Sequence, residues 1–151
     1  MTARLFKLAL ALVLGAGLLV GCGPAGSTQS HGGPVRDHVS FVDALRGKGL
    51  TVDIVGNVTQ PFLHPQSGTA LRISGSGTGP ADIQSFDYAS SDAASADAGQ
   101  IQPNGRIKSV SVDWIAPPHF FRKERVLVIY VGTDPAVVSV LRELLGPPLA
   151  G

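Results

Sequence analysis

A single cysteine, Cys22, stands in 151 residues, so the chain can form no intramolecular disulfide, no paired-thiol redox motif and no cysteine-built metal site. An excess of charge of one sign is also missing. Twelve basic residues face 11 acidic ones, and without Arg4 and Lys7 of the leading segment the remainder is close to neutral. That argues against nucleic acid as a partner, which would call for a basic stripe. Long apolar runs are scarce too: Leu8 to Val20 (LALALVLGAGLLV) is the one of its length, and at 13 residues it is short of the ~20 that cross the hydrocarbon of a bilayer. No G-x-S-x-G, H-E-x-x-H or S-x-x-K motif occurs, which removes the local signatures of several hydrolase classes. No repeat with a period of roughly 20 to 50 residues is present either, so a solenoid is not expected.

The first residues carry more information. Arg4 and Lys7 precede the apolar run with no acid among them, the charge-then-apolar layout of a secretory signal. The run closes on Leu19, Val20, Gly21 and Cys22, which resembles the lipobox of bacterial lipoproteins. That resemblance implies cleavage before Cys22, diacylglycerol on its sulfur, frequent acylation of the new amine, and a membrane as the first partner. Two or three chains hold firmly because each buried CH2 contributes roughly 0.8 kcal/mol, whereas one chain alone is marginal. Gly23 after the cysteine resembles lipoproteins sent to the outer membrane of diderm cells; in a monoderm the same chain would sit on the outer face of the plasma membrane. Gly23 to Pro34 (GPAGSTQSHGGP) reads as a flexible tether carrying a solvated His31. The expected division is therefore a signal peptide over 1–21, an acylated cysteine and tether over 22–36, and one domain over 37–151.

Within that domain, Asp37 is placed to cap a helix through Val39, Phe41, Val42 and Leu45, ending at Gly47 or Gly49. LTVDIVGNV alternates from Leu50 to Val58 as a half-buried strand does, and Thr69–Ser74 and Asp82–Tyr88 read as two more strands joined by a long loop, GSGTGP. Ser90 or Ser91 caps an alanine-rich helix that stops at Gly99, with Ala94 and Ala98 as its inner face. KSVSVDWIA follows as a strand with Val110, Val112 and Trp114 on one face. RVLVIYVG is the most apolar strand and is expected to be central. Thr133-Asp134-Pro135 starts a last helix whose inner face is Val137, Val138, Leu141, Leu144 and Leu145. The expected class is a two-layer α+β fold: a mostly antiparallel sheet of about five strands, helices on one face, and a wet second face lined by Ser85, Asp87, Ser109, Ser111 and Asp113.

The most unusual stretch is WIAPPHFFRKER. Its prolines cannot donate to a ladder and imply an edge or bulge, followed by aromatics and a charged tip. Trp114, His119, Phe120, Phe121, Arg122 and Arg125 form a candidate binding surface, with aromatic area, a titratable imidazole and arginines for anions. The alternative, preferred on general grounds, puts the aromatics in the core and leaves the charged tip as a solvated turn. Asp113 and His119 are conceivable as an acid–base pair, without a nucleophile motif to join them. His64 lies between prolines in PFLHP, and a joint metal site with His119 is allowed without support from the spacing. The glycines at 75, 77 and 79 do not form a phosphate loop, since a strand follows them where such loops open a helix. Asp82, Asp87, Asp92 and Asp97 read as surface charge.

No catalytic residue, metal or cofactor is assigned from these patterns. The leading functional reading is a lipid-anchored, extracytoplasmic, non-enzymatic binding or interaction module with an envelope protein as candidate partner. Two others stay open: an envelope hydrolase using His119 and Asp113, and a carrier of a small apolar ligand. An aromatic-Pro-His-aromatic-aromatic stretch, a Val-rich strand and a Gly-Thr-Asp-Pro helix start also look similar to those of small bacterial lipoproteins, which implies an address and no activity.

Overall fold

The computed structural model describes residues 32–65 and 67–151; Cys22, the apolar run and His31 lie outside them. The elements are α1 (His38–Gly47), β1 (Thr51–Val58), β2 (Gly68–Gly75), β3 (Thr78–Asp87), α2 (Ser91–Ala98), β4 (Pro118–Lys123), β5 (Val126–Val131) and α3 (Pro135–Leu145). The five strands form one antiparallel sheet in the order β1-β2-β3-β5-β4. This is the expected α+β class. Beyond β4, Phe120 N–H donates to the Ala150 carbonyl and Leu149 N–H to the Phe120 carbonyl, so the end of the described chain covers that edge.

Helix starts follow their local chemistry. Asp37 accepts from Ser40 N–H at 2.8 Å while Ser40 Oγ accepts from Asp37 N–H at 2.9 Å, a reciprocal cap. Ser90 accepts from Ala93 N–H, and Asp134 from Ala136 N–H with Pro135 in the first turn. Each such cap contributes about 1 kcal/mol by satisfying an amide the helix itself cannot. The packed body begins slightly before Asp37, because Val35 is already buried in the core.

β5 organises the packing. Val126 through Tyr130 are all buried, and alternate residues point to opposite faces. Val126, Val128 and Tyr130 join Phe41, Leu45, Leu71, Ile73, Ile83, Phe121, Val137 and Leu141 in a core beneath α1 and α3. Leu127 and Ile129 join Phe62, Leu63, Phe86, Tyr88, Ala94, Ile101, Ile107 and Phe120 in a second core on the other side. Helices therefore cover one face as expected for α1 and α3, but α2 lies on the opposite face, which is not wet over β3, β5 and β4. Ser85, expected on that wet face, is buried on the α1 side and hydrogen bonded to His38 Nδ1 at 3.0 Å. β5 is internal, between β3 and β4, where a continuous apolar run belongs.

Three local expectations are corrected. The β2–β3 connection is a two-residue turn, Ser76-Gly77, with both residues at positive φ (50° and 84°), a backbone twist that suits a tight hairpin. Pro80 lies inside β3, ahead of the Ile83–Asp87 stretch that pairs with β5, so its missing N–H breaks no ladder there. In β1, Ile54 pairs with Leu71 and Gly56 with Ala70, which leaves Val55 as a bulge; Ile54 and Val55 are exposed and the simple alternation ends at that point. Finally, the segment from Lys108 to Pro117 belongs to no strand, and the fourth strand is the proline-led PHFFRK instead. Val110, Val112 and Trp114 still face inward against the second core.

Gly68 shows how tightly that core closes. A Cβ there would stand 2.6 Å from the Phe86 ring and 2.8 Å from the Ser85 carbonyl, so the ring occupies the space that the glycine leaves. Gly68→Ala is expected to cost about 1 to 3 kcal/mol through overpacking, read as a lowered midpoint in urea unfolding; an unchanged midpoint would mean that Phe86 can move aside.

Candidate functional site

The six residues proposed from sequence as one binding surface are divided by the fold. Phe120 and Phe121 are fully buried on opposite faces of the sheet. Trp114 packs edge-on against Phe120 and Phe62, with ring centroids 5.6 and 6.3 Å away. Arg125 pairs with Asp87 at 2.9 Å, and Arg122 donates to the Glu124 carbonyl at 3.1 Å in the β4–β5 turn. The aromatics therefore serve the core, and the charged tip is a turn stabilised locally.

His119 remains at a cleft. Its ring stacks on Tyr130 at 5.7 Å and 18°, and its Nε2–H donates to the Gly132 carbonyl at 3.0 Å. Nδ1 is buried with no hydrogen-bond partner among the described residues. Asp113 is exposed on the irregular segment, and the hydrogen bond of His119 goes to a carbonyl, so the expected acid–base pair is not assembled. The cleft beside His119, about 450 Å³, is lined by Pro117, Thr133, Pro135, Val138, Ser139 and Arg142. Residues 135, 138, 139 and 142 share one face of α3, which forms one wall; the segments entering β4 and leaving β5 form the other.

A second cluster was misread from sequence. Asp97, expected as surface charge, has no exposure at all. It lies on the inner side of α2 beside Ala94, three residues away and therefore on the same helix face. One of its oxygens accepts from His64 N–H at 2.7 Å and from Tyr88 O–H at 2.8 Å. The other accepts from the ring Nδ1–H of His64, with Gln100 Nε2 at 3.5 Å. Burial works against the charge, but the donors from His64 and Tyr88 outweigh it and hold the Asp97 carboxyl below its ordinary value of 3.8. For Tyr88, burial and the bond to Asp97 carry the phenol far above its ordinary range, so it remains a donor.

His64 is therefore gripped at two points by one buried carboxylate while its side chain is 81% exposed. With Nδ1–H committed inward, Nε2 presents a lone pair outward. A small cavity of about 240 Å³ adjoins it, lined by Pro61, Phe62, Leu63, Gln100 and Ser109, and Ser109 Oγ donates to Gln100 Oε1 at 2.7 Å. The sequence did place His64 in a proline-flanked turn. The signal that could have found its partner is Asp97 at the i+3 position from Ala94 on the inner face. No cluster of three or more potential metal ligands occurs among the described residues. Comparison with protein-family models, curated proteins and solved structures finds no match to this chain, so chemistry is read from the two histidine environments themselves.

The carboxylate is also a stability element. Because its folded-state pKa is lowered, its contribution is complete above 3.8 and is lost as pH falls through the lower folded value. Asp97→Ala, which leaves the Tyr88 hydroxyl and the His64 amide without an acceptor, is expected to cost about 3 kcal/mol at neutral pH. In Asp97→Asn the acid limb due to this group should disappear. Denaturant titrations at pH 7 and across the range below 4 check both; equal acid sensitivity of wild type and Asn variant would move the acid limb to other carboxylates.

Proposed function

We propose that this protein is a lipid-anchored, extracytoplasmic binding module whose ligand seat is the cleft between α3 and the start of β4, and that its ligand is a small amphiphile carrying an anionic group. The observation that carries the reading is the composition of the cleft. Pro117, Pro135 and Val138 supply apolar contact, Thr133 and Ser139 supply hydroxyls, and Arg142 supplies a cation. Arg142 makes no ion pair among the described residues. Such a wall suits a ligand with a short hydrocarbon part and a carboxylate or phosphate at one end. The lipobox-like Leu19–Cys22 segment supports the address, since a membrane-tethered domain meets amphiphiles at high local concentration.

Two measurements test this. Octanoate should bind the protein in equilibrium titration, methyl octanoate should bind at least tenfold more weakly, and Arg142→Gln should erase that difference, because a charge-assisted hydrogen bond contributes about 1.5 to 3 kcal/mol. Equal binding of acid and ester by the wild type would remove the anionic part of the reading. For the address, Cys22→Ser should abolish incorporation of labelled palmitate and release the protein from the membrane fraction; retention of label would place the acyl group elsewhere.

A further inference from the structure

We infer that His64 is the general base of a second site, separate from the α3 cleft, which hydrolyses small carboxylic esters, with Asp97 as its positioning residue. Four observations converge on it. The imidazole is oriented by a carboxylate that also holds its own backbone N–H, so ring and main chain are fixed together. Its outward nitrogen is free and accessible, which a base needs and a core histidine does not have. The adjoining pocket, lined by Pro61, Phe62, Leu63, Gln100 and Ser109, presents mainly polar surface and has room beside the ring for a small ester. The last is the nature of the anchor itself. One Asp97 oxygen accepts from Tyr88 O–H and the His64 main-chain N–H and the other from the His64 ring, which takes two acceptor oxygens, and a fully buried carboxylate costs several kcal/mol to desolvate. The negative charge becomes useful when a proton arrives on His64 and an imidazolium has to be stabilised.

The chemistry closes with water as the nucleophile. Ser109 has its hydroxyl proton directed to Gln100 Oε1, so it stands beside the reaction as a polar neighbour. His64 Nε2 takes a proton from a water molecule while the water oxygen bonds to the acyl carbon, and the carbonyl electron pair moves onto oxygen. The tetrahedral species then expels the alkoxide as the carbon–oxygen bond to it breaks, and the proton on Nε2 passes to that alkoxide. The products are one carboxylic acid and one alcohol, with His64 returned to its starting state. A groove of about 240 Å³ has room for an acyl group of a few carbons.

The test uses the full-length chain in a nonionic detergent with p-nitrophenyl acetate as the probe, against free imidazole at equal concentration. The expected result is saturable release of nitrophenol faster than that of imidazole, reduced about 100-fold in His64→Gln and unchanged in His38→Gln, whose ring lies across the sheet on Ser85. His64→Gln removes one donor from the buried Asp97 and is expected to lower the melting temperature, so rates are compared well below the midpoint of both proteins. Asp97→Asn should lower kcat about tenfold or more with KM held when the rate is normalised to folded protein by circular dichroism, since loss of folded protein alone would vanish on that normalisation. Wild-type release no faster than that of free imidazole, or a His64→Gln variant as active as wild type, would overturn the inference. Neither result bears on octanoate binding at Arg142.

Discussion

A strand with apolar side chains on both faces is stable only when both faces are covered, and β5 imposes that constraint on the whole chain. Its five consecutive buried residues, Val126 to Tyr130, each contribute roughly 1.5 to 3 kcal/mol once removed from water. On one side the cover is conventional: α1 and α3 are amphipathic and bring Phe41, Leu45, Val137, Leu141 and Leu145. On the other side the one helix among the described residues is α2, built from serine, alanine and aspartate, which cannot fill the space over Leu127 and Ile129. Irregular chain does so instead, through Phe62, Leu63, Ile101, Ile107 and Trp114.

Irregular backbone laid over a core needs polar anchors, because it lacks the ladder that satisfies amides elsewhere. Asp97 is the anchor that joins α2, the 61–65 turn and the end of β3, by accepting from His64 and Tyr88. A second cover made of short helix and loop thus leads to a buried carboxylate, and a buried carboxylate beside a turn histidine leads to an oriented imidazole. His119 and His64 differ in which nitrogen is engaged. His119 uses Nε2 on the Gly132 carbonyl and keeps its free nitrogen buried; His64 uses Nδ1 and turns its free nitrogen to solvent. The same side chain is thereby suited to lining a cleft in one place and to moving protons in another.

Local signals were readable where the physics is local. The caps at Asp37, Ser90 and Asp134 depend on a side chain reaching an amide two or three residues away, and each helix begins there. The apolar run of β5 implied burial on two sides. The alternation of Val110, Val112 and Trp114 was equally clear and still misleading as to the sheet. Period-two patterning reports an extended chain with one side buried; it carries no information about which backbone, if any, pairs with it. The ladder position beside β5 went to Pro118–Lys123, whose prolines, read as marking an edge or bulge, stand at the entrance of an edge strand.

The sequence by itself determined the three helices with their caps, four of the five strands and the α+β class, because these follow from contacts within a few residues or from overall composition. Only the tertiary structure decided that Phe120 and Phe121 face opposite cores, that Asp97 is buried and that its partner is a histidine 33 residues earlier. Those facts depend on which surfaces the chain brings together over long separations. Burial then changes the chemistry: a carboxylate that would be hydrated on a free helix becomes, once sealed against Tyr88 and His64, the group that sets the tautomer of an exposed imidazole.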